Sequence, residues 1–206
     1  MTPPAALPPC PLSIDDLTLS RGGRLLFEAV SIRVLELQTL LIRGPNGAGK
    51  SSLLLTLAGI LRPDRGRIAW DIGHEPQIHL FGHLSGIKSR LTVGENLDFW
   101  RAVNGPTGIA RAAALDTVGL GGLDDIEAGH LSAGQTRRLA LARLLVSKRR
   151  VWLLDEPLAS LDAAGDALVS RLLIDHVASN GVAIVATHDD IPGVLNPVTL
   201  TLGAAP

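Results

Sequence analysis

The segment Gly44-Pro45-Asn46-Gly47-Ala48-Gly49-Lys50-Ser51 follows the pattern G-x-x-x-x-G-K-[ST]. Its glycines let successive backbone N–H groups turn inward around a polyphosphate, and a helix starting there aims its positive end at the same anion. Lys50 supplies a point charge spanning the β- and γ-phosphates, and the Ser51 hydroxyl is a hard oxygen ligand for Mg²⁺. A second reactive pair closes the apolar run Val151-Trp152-Leu153-Leu154, which ends in Asp155-Glu156. Ligands of open α/β sheets gather beyond the carboxyl ends of the strands. Asp155 is therefore placed to hold Mg²⁺ through water, and Glu156 to polarise an attacking water.

A third stretch, Leu131-Ser132-Ala133-Gly134-Gln135, runs into the helical pattern Thr136–Ser147. Ser132 suits an N-cap and Gly134 exposes backbone N–H at a helix start, so this is a second anion-binding feature. Ser160-Leu161-Asp162 follow the acidic strand, and His188 follows the apolar run Val182–Thr187. This ordered set resembles the ATP-binding cassette (ABC) ATPases over about residues 13–203, with Ala133 in place of the first glycine of L-S-G-G-Q.

The resemblance implies ATP and Mg²⁺ as cofactors, with nucleotide bound by Gly44, Pro45, Asn46, Gly47, Ala48, Gly49, Lys50, Ser51 and Ser52. It implies Glu156 and His188 as catalytic groups, His188 contacting the γ-phosphate, and Ser51 and Asp155 as the Mg²⁺ ligands. It also implies that two copies pair head to tail, so that Leu131, Ser132, Ala133, Gly134 and Gln135 of one close on the ATP of the other, with Asp162 in the adjoining loop.

Within that superfamily, Gly82-His83-Leu84-Ser85-Gly86-Ile87-Lys88 and Leu91-Thr92-Val93-Gly94-Glu95-Asn96-Leu97-Asp98-Phe99 resemble the ATP-binding subunit of the bacterial cytochrome c biogenesis haem exporter. Arg137-Arg138 and the run Leu141-Ala142-Arg143-Leu144-Leu145 fit the same family. That resemblance implies membrane-spanning ABC subunits as partners and a peripheral place on the cytoplasmic face of the bacterial inner membrane. Two positions depart from the pattern. Leu84 stands where the family has a glutamine that reaches Mg²⁺ and water, which leaves Gln77, solvent or a slow turnover to make up the difference. The chain has no tyrosine and lacks the aromatic that stacks on adenine, so Arg21 or Arg24 is expected to stack by its guanidinium plane, with Phe27 in the core.

The elements that must position these groups read as a parallel α/β sheet with a helical insertion, and the resemblance implies the ABC-type P-loop ATPase architecture with an N-terminal antiparallel β part. Leu12–Ser20 and Arg24–Val34 alternate apolar and polar residues around Arg21-Gly22-Gly23, as half-buried strands do. Further strands are expected at Gln38–Arg43, Arg67–Asp71, Ile78–Phe81, Val151–Leu154 and Val182–Thr187, with helices at Leu53–Leu61 and Asp162–Ser179. The segment from about 84 to 149 is expected to be a helical subdomain of a single domain spanning 13–206. Its stripe Val93, Leu97 and Trp100, with Phe99 alongside, suits either a core or a docking face.

Composition bounds the rest. In 206 residues, 19 basic side chains face 20 acidic ones, which gives no electrostatic footprint for nucleic acid. A single cysteine, Cys10, excludes a disulfide framework and reads as a stray thiol, while His74, His79 and His83 are not expected to form a metal set. Residues 1–12 hold five prolines without a basic residue, so they read as a disordered tail rather than a secretory signal. Apolar runs are too short to span a bilayer, yet a mean hydropathy of +0.29 suggests a surface covered by a partner.

Overall fold

A computed structural model describes residues 10–73, 77–82, 86–194 and 197–203. The tail expectation for residues 1–9, and Leu84 itself, lie outside the described residues. Strands β1 (Leu12–Arg21) and β2 (Arg24–Val34) form an antiparallel hairpin around Gly22-Gly23, and β4 (Arg65–Trp70) adds to the other edge of β1. Leu12 is fully buried and pairs with Val34 and Trp70, so β1 starts within the Pro-rich stretch 1–12.

The second sheet is parallel throughout, in the order β5-β6-β7-β3-β8. It comprises β3 (Thr39–Arg43), β5 (Ile78–Phe81), β6 (Val151–Asp155), β7 (Val182–Ala186) and β8 (Val198–Thr201). Helix α1 (Lys50–Leu57) follows β3, and α5 (Ala163–Ala178) joins β6 to β7. Between β5 and β6 lie α2 (Val93–Asn104), α3 (Arg111–Thr117), a 3₁₀ turn at Ala128–His130 and α4 (Ala133–Val146).

The central strands read as unbroken apolar runs because both of their faces are covered. Successive side chains alternate between two cores. Leu40, Ile42, Val151, Leu153, Val182 and Ile184 pack towards α1 and the antiparallel sheet. Leu41, Trp152, Leu154, Ala183 and Val185 pack towards α2, α4 and α5. Helix α1 begins at Lys50, not Leu53, because Gly49 turns the chain at φ +97° and the glycine loop delivers its lysine straight into the first turn. It ends at Leu57, since Gly59 at φ +73° reverses the chain before Leu61. The short β8, preceded by Pro197, carries no alternation strong enough to mark it in the sequence.

Candidate active site

The strand order decides which loops meet. With β7 between β3 and β6, the second residue after β7 emerges between the glycine loop and the acidic pair. That residue is His188, and its Nε2 lies 2.7 Å from Lys50 Nζ, 3.0 Å from Asn46 Oδ1 and 3.5 Å from Glu156 Oε1. Lys50 has only donors, so a ring protonated on Nδ1 accepts from it, whereas a proton on Nε2 turns the ring's bond to Asn46 or Glu156. Lys50 is 7% exposed, donates to Gly44 O at 2.8 Å and sits 4.0 Å from Glu156 Oε1.

The glycine loop is shaped by close approach. A Cβ on Gly44, at φ +139°, would meet Leu202 O at 2.3 Å, and one on Gly49 would press against Leu26 and Phe27 at 3.1 Å. Helix α1 has no side-chain cap and no acidic residue in its first turn, so its free N–H groups are left for an anion. The loop opens on a recess of about 540 Å³ lined by Arg21, Arg24, Leu26, Pro45, Asn46, Gly47, Gly49, Lys50, Ser51, Ser52, Asp155 and Glu156. Gly44 and Ala48 build the loop from behind: Gly44 receives the lysine, and Ala48 donates its N–H to Pro45 O. Phe27 is buried beneath Gly49, as expected of a core residue, while both arginines of the β1–β2 turn stand exposed at the rim.

Ser51 and Asp155 present a hydroxyl and a carboxylate to this recess. Both are hard oxygen donors, and among the described residues no group of three or more His, Cys, Asp or Glu side chains could hold a metal alone. That donor set fits Mg²⁺, which keeps several waters and takes one or two protein ligands plus phosphate oxygens rather than an all-protein cage.

Ser132 caps α4 by accepting from Gln135 N at 3.2 Å, and Gln135 Oε1 accepts from Ser132 N at 2.9 Å. Asp162 caps α5, accepting from Gly165 N at 2.8 Å and pairing with Arg138 at 3.0 Å, which together hold its carboxyl below the usual carboxylate range. None of Leu131–Gln135, nor Asp162, lines the recess. Gln77 is likewise excluded as a stand-in for the missing glutamine. It precedes β5, accepts from Val151 N at 3.2 Å at the amino end of the parallel sheet, and lines a different recess with Lys148, Arg149 and Arg150.

Two residues at the site escaped sequence reasoning. Arg43 donates to His188 O at 2.6 Å and pairs with Asp190 at 2.7 Å, which fixes the loop bearing the histidine. Arg137 lies beneath the acidic pair and donates to backbone carbonyls there. The sequence marked Arg137 only as part of the Arg137-Arg138 pair that fits the family pattern, with no sign of what it holds. His79 is buried and gives its Nε2 proton to Ser147 O at 2.6 Å, so it is a core histidine, while His74 and His83 lie outside the described residues.

The model of the ABC transporter family matches residues 27–159. The cytochrome c biogenesis ATP-binding export protein CcmA of Ruegeria pomeroyi is 47% identical over 180 residues, covering 87% of this chain and 86% of its own. The chain belongs to the CcmA family of ABC transporter proteins. The CcmA protein of Chelativorans sp. is 44% identical over 183 residues, covering 86% of this chain and 91% of its own. Among solved structures, cbiO1 of Clostridium perfringens, part of an ABC transporter complex, superposes with a TM-score of 0.76 at 27% identity, covering 94% of this chain and 85% of that one. Like these ABC proteins, the chain carries its nucleotide machinery on an α/β core, and no helix among its described residues is long and apolar enough to cross a membrane.

Proposed function

We propose that this chain is the ATP-hydrolysing subunit of a membrane export complex that handles haem for cytochrome c biogenesis. The observation that carries the hydrolytic part is the placement of Glu156, Lys50 and His188 within 4.0 Å of one another at the mouth of the glycine loop. The backbone N–H groups of Gly47–Ser51 and the Lys50 ammonium hold the β- and γ-phosphates, and the exposed arginines at the hairpin rim stack on the base. Ser51 and Asp155 would hold Mg²⁺, which would supply positive charge to the phosphoryl oxygens. Glu156 orients the attacking water and accepts its proton, and His188, 3.5 Å from that carboxylate, contacts the γ-phosphate.

The haem and export part is supported by the CcmA relatives and by the Gly82–Phe99 segment; on this reading the chain is peripheral on the cytoplasmic face of the bacterial inner membrane, bound to membrane-spanning ABC subunits. The loop Leu131–Gln135 stands outside the chain's own recess, which supports its serving the ATP of a second, head-to-tail copy.

Glu156→Gln tests the reading: the variant keeps ATP affinity but loses turnover, because an amide cannot take the water's proton. Wild-type turnover in that variant removes Glu156 from its role, and failure of membrane-spanning subunits to co-purify removes the export assignment. A second reading follows from Leu84, which cannot bind Mg²⁺ or water: a nucleotide-dependent module with little turnover of its own. Equal, negligible hydrolysis with and without the membrane subunits selects it.

A further inference from the structure

Arg137 is 8% exposed, one turn inside α4. Its guanidinium lies 4.2 Å from the centre of the Phe81 ring, at the last residue of β5. Nη1 donates to Gly82 O at 3.3 Å, and Nη2 donates to Asp155 O at 3.1 Å and to Glu156 O. One planar fork therefore ties α4 to the carboxyl ends of two adjacent parallel strands. Burial lowers the pKa of the guanidinium, with the neighbouring Asp155 and Glu156 carboxylates opposing that shift.

Glu156 is the residue in need of such support. Its φ of +45° lies in the left-handed region, where a side-chain-bearing residue is held only by its surroundings. Its N–H is fixed by Ala186 O at 2.8 Å, and its carbonyl accepts from Arg137 and from Ala159 N at 3.1 Å. With both ends of the residue anchored, the backbone fixes the direction in which its side chain leaves the chain.

We propose that Arg137 is a positioning residue for hydrolysis: its contacts with the Asp155 and Glu156 carbonyls hold Glu156 in the left-handed conformation and link its carboxylate to the capped loop Leu131–Gln135 at the head of the same helix. This rests on the proposed role of Glu156 as the group that accepts the proton of water. A shift of α4, as when Ser132–Gln135 engage a second copy's nucleotide, is transmitted through one rigid side chain to the carboxylate. Lysine cannot replace the fork, because a single ammonium cannot meet carbonyls on two strands in one plane.

The test compares Arg137→Lys with the parent in the full chain, alone and with its membrane subunits. Lysine retains the charge and most of the aliphatic stem but not the fork, so the nucleotide-free melting temperature falls modestly and ATP Kd stays within about twofold, while kcat falls about ten- to a hundredfold as the carboxylate loses its alignment. Combined with Glu156→Gln, Arg137→Lys produces no further loss of turnover, because there is no carboxylate left to align. Unchanged kcat overturns the proposal. So does a parallel loss of melting temperature, ATP affinity and kcat, which marks Arg137 as a packing residue only. Glu156→Gln run alongside separates the failures: full turnover there sinks the catalytic assignment itself, whereas lost turnover there with normal kcat in Arg137→Lys sinks only the positioning role.

Discussion

Lys50 concentrates the residue-scale argument, since its ammonium is buried against Gly44 O, His188 and Glu156 rather than waving in solvent. Lys50→Ala removes the one cation that spans the phosphates, and charge-assisted hydrogen bonds of this kind contribute about 2–3 kcal/mol, a loss of roughly 30- to 150-fold in Kd. Isothermal titration with ATP checks this; an unchanged Kd contradicts the assignment of the loop. His79 yields a pH prediction. Desolvation pushes its pKa down from 6.5 to about 4, partly offset by the bond to Ser147. The unfolded chain therefore binds a proton that the folded chain refuses between about pH 6.5 and pH 4, so stability falls as pH is lowered through that window. The total for His79 is about 3 kcal/mol, and His176, stacked at 3.9 Å on Trp152 and also lowered to about 4, acts in the same direction. His79→Gln keeps a donor for Ser147 and flattens the fall in melting temperature between pH 7 and pH 5; an unaltered pH profile counts against a buried neutral ring. The glycine loop and the Asp155-Glu156 pair were legible because their chemistry depends on side-chain types at fixed local spacing. Arg137 was not, because its partners are main-chain carbonyls, one of them 55 residues away, and carbonyls leave no mark in a sequence.

At the scale of elements, α2 divides its aromatics. Val93 and Leu97 are fully buried, and Trp100 packs with Arg143 4.0 Å from its ring. Phe99 is 36% exposed, edge-on to Trp100 at 5.4 Å, with Lys88 Nζ 4.8 Å from its ring and Val103 exposed one turn on. The two neighbours therefore have separable roles. Trp100→Ser loses a half-buried ring and lowers stability by about 2 kcal/mol, read as a fall in melting temperature. Phe99→Ser leaves melting temperature and ATP affinity nearly unchanged but weakens co-purification of the membrane-spanning subunits. Normal co-purification of Phe99→Ser removes α2 as a docking face. The start of α2 also shows what a sequence can mark well: Thr92 and Glu95 form a reciprocal capping box, with bonds of 3.1 Å and 2.8 Å. The buried Asn96 then ties the preceding loop down, accepting from Lys88 N at 2.8 Å and donating to Lys88 O at 3.0 Å and Thr92 O at 2.9 Å. Boundaries governed by glycine geometry, such as both ends of α1, were placed less well, because periodicity carries no information about φ.

For the whole molecule, the class of fold followed from the order of apolar runs and helical stretches, but the order of strands did not. Parallel pairing joins segments far apart in the chain, and any buried apolar strand is a chemically acceptable neighbour for any other. That order brings His188 to Glu156 while leaving Leu131–Gln135 outside the recess, the arrangement that the proposed head-to-tail pairing requires. Glu156→Gln in saturating ATP is therefore expected to accumulate a dimer, seen by size-exclusion chromatography with light scattering, in the complex if the free chain pairs weakly. A strictly monomeric chain under both conditions contradicts head-to-tail pairing. The last strand has its own consequence for the order of assembly. β8 pairs with the outer edge of β3, Leu202 N donates to Arg43 O at 2.9 Å, and Leu202 O stands where any side chain on Gly44 would have to go. During synthesis the glycine loop leaves the ribosome more than 150 residues ahead of that support. The phosphate cradle is thus translated long before the strand that walls it in.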